Sequence, residues 1–182
     1  MSIKQFNATY LVADDRILFR FNTAEDAEFR FWLTRRVTLF ILAATQHLMM
    51  KGLEQTHSPQ AAKAIAKFSK EVMQIDPSTQ GALQADTYQP ASNYPLGADA
   101  LLVMDAKCTP EKHGLEDGVS LDLVLPGGAN INVKMAGSTL QAMSILLNQL
   151  REHAAWGEVP SVNDVAIQAE DKNKAVNKPS VH

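Results

Sequence analysis

The sequence predicts an α+β fold of two pseudo-equivalent units, each of about three antiparallel strands plus a helix, with a second helix inserted after the first unit. Three observations predict it. Ile17, Phe19, Phe21 and then Phe29, Phe31, Leu33 alternate with mostly polar residues. Val119, Leu121, Leu123 and then Ile131, Val133, Met135 do the same, each standing 102 positions after its partner in the first set. Each pair of runs is followed directly by a long amphipathic helical pattern. Period-two alternation with aromatic enrichment is the signature of a half-buried strand, and self-similarity at a fixed offset points to a repeated unit. A lone three-stranded sheet leaves one apolar face open, so two such units are expected to bury each other's faces.

The elements follow in order. Phe6 to Val12 reads as a first strand, and Ala13-Asp14-Asp15 as a turn, because Asp favours turn conformations. Arg16 to Asn22 and Glu28 to Leu33 are the second and third strands, with their phenylalanines inward. Thr34 suits a helix N-cap. Val37, Phe40, Ile41, Ala44 and Leu48 then recur at helical spacing, widened by Leu39, Leu42, Ala43, Met49 and Met50, so this helix is expected to be buried on more than one side. Gly52 is the expected stop. Ser58-Pro59 opens the inserted helix, with Ser as cap and Pro at its first position, and Asp76-Pro77 closes it. Ser78 to Leu96 has no periodicity and reads as a long connection.

The second unit begins with Leu101 to Met104, continues through Ala106 and Cys108, and closes at Pro110. Glu111 to Gly118 reads as a hairpin loop, Val119 to Leu125 as a strand, Pro126-Gly127-Gly128 as a turn and Asn130 to Met135 as the last strand. Ser138 is the expected cap of a helix carrying Leu140, Met143, Leu147, Leu150 and Ala154, with Ile145 and Leu146 beside that stripe. Trp156 is placed in its last turn and Gly157 at its end. The division is therefore 1–75 for the first unit and extra helix, 76–97 for the connection, 98–157 for the second unit, and 158–182 for a polar tail expected to be disordered.

Composition narrows the function classes. A hydrophobic fraction of 46% against 20% charged residues suits a globular protein with a real core. A net charge of −3 argues against binding nucleic acid by bulk charge. The single cysteine, Cys108, forms no intrachain disulfide and fits a reducing cytoplasm. The first ten residues hold no apolar signal core. The longest apolar stretch, Val37 to Met50, is too short to span a bilayer. The expectation is a cytoplasmic protein with no membrane contact.

The block Glu28-Phe29-Arg30-Phe31-Trp32-Leu33-Thr34-Arg35-Arg36, with Tyr94-Pro95-Leu96-Gly97, resembles segments of an uncharacterised bacterial protein family. The resemblance spans about two thirds of the chain and brings no activity, cofactor or catalytic residue with it. The layout of tandem strand–strand–strand–helix units is similar to that of the single-strand-binding Whirly and Pur-alpha families, a likeness of architecture without their motifs.

The chemistry-bearing residues do not assemble into a site by spacing. Gly127-Gly128 joins two strands, not a strand to a helix, so it lacks the setting of a phosphate loop. No Cys-x-x-Cys or His-Glu-x-x-His occurs, and His47, His57, His113, His153 and His182 are scattered. Asp14-Asp15 and Glu25-Asp26 read as solvated turn residues. No catalytic, cofactor-binding or metal-ligating residue is assigned, no cofactor is expected, and the chain is read as a non-enzyme. What remains is the outward face of the first unit, where Arg20, Arg30 and Trp32 share one side of the sheet and Arg35 and Arg36 follow. Two functions compete for it. The first is binding or assembly through a protein partner or a second copy as a homodimer. The alternative is single-stranded nucleic acid, whose bases stack on aromatics and whose phosphates pair with arginines.

Overall fold

The computed structural model describes residues 3–75, 88–113 and 116–161. Its order is β1 (Ile3–Leu11), β2 (Arg16–Thr23), β3 (Glu28–Thr34), α1 (Arg35–Thr56), α2 (Pro59–Ile75), β4 (Leu101–Leu102), β5 (Asp105–His113), β6 (Glu116–Val124), β7 (Asn130–Ala136) and α3 (Gly137–His153). The expected α+β class and the repeated strand–strand–strand–helix unit are both present. The early connection, the tip of the second hairpin and the tail from 162 onward lie outside the described residues.

The duplication holds at the level of register. In the first sheet Ile17 stands opposite Leu33, Phe19 opposite Phe31 and Phe21 opposite Phe29. In the second, Val119 stands opposite Met135, Leu121 opposite Val133 and Leu123 opposite Ile131. These are the same three cross-strand pairs, 102 residues apart, and α3 also begins 102 residues after α1. The first strands keep the pattern at an offset of 100: Ala8 faces Phe19 as Cys108 faces Leu121. All these inward positions are buried except Cys108 and Ile131, which are partly so. Phe21 lies at their centre, with its ring 5.2 Å from Phe29 and 6.0 Å from Phe31. Burying one such ring is worth about 1.5–3 kcal/mol.

The units interlock. α1 packs on β3 of its own unit and on β5 of the other; α3 packs on β6 and β7 of its own unit and on β1 of the other. The two helices meet at Thr45 and Ser144, whose hydroxyl oxygens are 3.1 Å apart. α2 lies against both. The wide apolar face of α1 is thus divided among two sheets and two helices. One continuous core cluster draws residues from both units.

Several boundaries differ from the sequence expectation. β1 starts at Ile3. α1 runs past Gly52 to Thr56, so the ~1 kcal/mol that glycine costs a helix interior does not end it. Pro110 does not end its strand: it pairs with Val119 inside β5, an edge strand where a missing N–H breaks no ladder bond. The residues read as a long hairpin loop extend β5 to His113 and start β6 at Glu116. Ser138 is not the cap of α3; Ala136 holds that place, with no side-chain bond. Thr34 does cap α1, its Oγ1 accepting from Val37 N at 3.4 Å, and Ser58 Oγ accepts from Ala61 N at 3.3 Å. Trp156 lies beyond the end of α3, and Val159 of the expected loose tail packs on the core.

Candidate binding surface

Alternation puts Asn7 of β1, Arg20 and Asn22 of β2, and Glu28, Arg30 and Trp32 of β3 on the side of the first sheet away from the phenylalanines. Register then sets neighbours: Asn7 beside Arg20, Arg20 beside Arg30, Asn22 beside Glu28, Leu18 beside Trp32. Two arginines side by side on adjacent strands repel unless each finds a partner. Arg20 donates from Nε to Asn7 Oδ1 at 3.1 Å. Arg30 donates from Nε to Glu28 Oε1 at 2.7 Å, and its other nitrogens reach Ala98 O at 3.0 Å and the Tyr94 hydroxyl at 3.3 Å.

Residues 88–98 form a strap over this face. The Tyr88 ring lies over the Arg20 guanidinium at 4.5 Å, and the Tyr94 ring over that of Arg30 at 4.8 Å. Each such contact contributes about 0.5–2 kcal/mol, more as water is excluded. The strap is anchored by backbone as well. Asn93 O accepts from Glu28 N at 2.8 Å, Asn93 N donates to Asp26 O at 3.2 Å, and Asn22 Nδ2 donates to Gln89 O at 2.8 Å. Beneath it Glu28 has no exposed surface, and its Oε2 accepts from Ala91 N at 3.0 Å. Burial, then the Glu28 charge, raise the Tyr88 phenol well above its ordinary value.

The five predicted binding residues therefore separate. Arg20 and Arg30 sit under the strap. Trp32 is half-buried between Leu18 and Leu102. Arg35 and Arg36 are exposed at the start of α1, where Arg36 bonds Met104 O and lies 3.5 Å from Asp105 Oδ1. The structure brings the first two together with Glu28, Tyr88 and Tyr94, which spacing alone did not select. The only local cue was two tyrosines in an otherwise aperiodic stretch.

A second cluster was also missed. Asp15, read as a solvated turn residue, accepts from Trp156 Nε1 at 2.7 Å and from the Tyr10 hydroxyl at 2.8 Å. Tyr10 meets Trp156 edge-on at 5.6 Å and His153 at 6.0 Å. The Trp156 bond, then the Tyr10 bond, hold the Asp15 carboxyl below its ordinary range, with Arg35 adding to the effect. The end of α3 is thereby fastened to the β1–β2 turn of the other unit.

The remaining reactive groups stand apart. Cys108 is partly buried in β5, and its thiol is pushed up to about 12 by burial and by Asp122, which keeps it protonated and a poor nucleophile. His47 and His57 are exposed on and after α1, and the His113 side chain lies outside the described residues. Among the described residues no group of three or more His, Cys, Asp or Glu is placed to hold a metal, and no helix is long and apolar enough to cross a membrane. No family model matches this chain, and comparison with curated proteins and with solved structures finds no match.

Proposed function

We propose that this chain is a non-enzymatic binding or assembly protein that works through protein–protein contacts, self-association as a homodimer included. The observation that carries the reading is Phe68. It is 67% exposed on α2, while Ala62 of the same helix is fully buried. Ala64, one turn before Phe68, is exposed on the same side. An apolar row that the core leaves uncovered is what a partner surface supplies with burial. The ionisable groups that chemistry would need have structural work instead: Glu28 holds the strap, Asp15 holds Trp156, and Cys108 stays protonated. A nucleic acid would have to displace Tyr88 and Tyr94 from the arginines, whereas a contact through α2 needs no rearrangement.

Light scattering tests this. The homodimer has twice the 20.0 kDa mass of the chain. Phe68→Asp is expected to weaken association by about thirtyfold, the effect of removing a hot-spot aromatic, with an unchanged circular dichroism spectrum. A parent protein that stays monomeric at every concentration removes self-association from the reading.

A further inference from the structure

We propose that the outer edge of β7 is a docking site for an extended peptide segment of a partner protein, added parallel to the strand. The proposal rests on the protein-contact reading and says where one such contact is made. It comes from comparing β7 with β3, its counterpart 102 residues earlier. Glu28 N donates to Asn93 O at 2.8 Å, and Trp32 O accepts from Val103 N at 3.0 Å. Backbone groups at even positions of β3 therefore point away from β2. The register of β7 on β6 is the same, so those of Asn130, Asn132 and Lys134 point away from β6.

In the first unit this edge is occupied. Asn93 bridges to Ala27, Leu101 and Leu102 pair in parallel with Phe31 and Trp32, and Val103 is buried behind them. In the second unit, among the described residues, β7 pairs only with β6; β1 approaches it without a backbone hydrogen bond. An unpaired row of N–H and C=O groups is a template for another strand.

A second observation lies on the adjoining face. Thr109, Pro110, Glu111, Ser120, Asn132 and Lys134 line a shallow depression of about 400 Å³. Glu111 Oε1 is paired with Lys134, but its Oε2 is buried with no hydrogen-bond partner among the described residues. A buried carboxylate oxygen calls for a donor. On the first sheet the equivalent need of Glu28 Oε2 is met by a peptide N–H, that of Ala91. Edge and face together fit a chain that crosses the face over β5, offering a free N–H to Glu111, and then runs beside β7 with an apolar residue next to Val133, as the strap crosses the first sheet before Leu101 stands beside Phe31.

The probe is a fluorescein-labelled synthetic peptide of residues 88–104 of this chain, which carries the strap and β4, titrated against the full-length protein. Saturable one-to-one binding is expected, with amide shifts at Asn130, Asn132 and Lys134. Lys134→Pro removes one outward N–H and no β6–β7 ladder bond, and is expected to weaken binding about tenfold; Lys134→Ala loses the side chain but keeps that N–H, and is expected to weaken it less. The proposal falls if the peptide does not saturate, if shifts appear at Glu28 and Trp32 instead, or if both variants weaken binding equally. Should Lys134→Pro misfold, the amide shifts of the unmodified protein decide. Self-association through Phe68 is a separate measurement, so an empty edge on a protein that still dimerises overturns this proposal alone.

Discussion

Glu28 shows how one residue fixes a long connection. It has no exposed surface, and taking a carboxylate out of water costs several kcal/mol unless it is paired and hydrogen-bonded. Arg30 and Ala91 N–H supply both needs from opposite sides, one on its own strand and one on the strap. Glu28→Ala is expected to cost about 1.5–3 kcal/mol, the usual worth of hydrogen bonds to a charged group, and to speed proteolysis within residues 88–98. Glu28→Gln keeps one acceptor and should cost less. Urea denaturation measures both; equal midpoints for parent and Glu28→Ala would mean the strap is held without the carboxylate. Alternation alone put Arg20, Arg30 and Trp32 on one face, so that much of the surface was legible. The acceptor role of Glu28 was not, because its partner is 63 positions away and carries no side-chain signal.

At the scale of elements, strand faces and the starts of α1 and α2 were readable because period and capping are local. The ends were less so. Gly52 and Pro110 are stop signals by propensity, yet α1 continues through the first, whose cost of about 1 kcal/mol is small, and an edge position excused the second. The fastening of α3 to the β1–β2 turn was invisible for a similar reason: Trp156 and Asp15 are 141 residues apart. It gives a pH prediction. The Asp15 carboxyl is held below its ordinary 3.8 by the Trp156 and Tyr10 bonds. A depressed value means the contribution is present above the unfolded value and is lost as pH falls through the folded one. The other charged or titratable groups around it are Arg35, Tyr10 and, against Tyr10, His153. In a Trp32→Phe background Trp156 is the only tryptophan left to report. Its fluorescence is expected to change below pH 3.8 in the parent, and to stay level there in Asp15→Asn, which keeps an acceptor but cannot titrate. The same acid transition in both proteins would show that Asp15 does not hold the tryptophan.

At the scale of the whole molecule, the 102-residue offset was legible and gave the architecture, since identical patterns imply identical local folds. Which sheet each helix would cover was not, because an apolar stripe specifies that it is buried and not by what. The structure gives the answer: each helix reaches across to the first strand of the other unit, and the core is one cluster. The division into two units is therefore one of sequence, and it should not be one of stability. Residues 1–75 alone would expose the side of α1 that rests on β5 and the side of β1 that receives α3. Residues 88–161 alone would expose the matching sides of β5 and α3, and would leave Tyr88 and Tyr94 without their arginines. Residues 1–75 keep a three-stranded sheet with α1 and α2, and residues 88–161 a three-stranded sheet with α3, sizes at which burial barely offsets chain entropy. Neither half is expected to show a cooperative urea transition by circular dichroism, and the two produced together are expected to recover one and to co-elute. A cooperative transition in residues 1–75 by themselves would make the units autonomous domains, with the crossed helices an addition to two finished folds and not the condition for either.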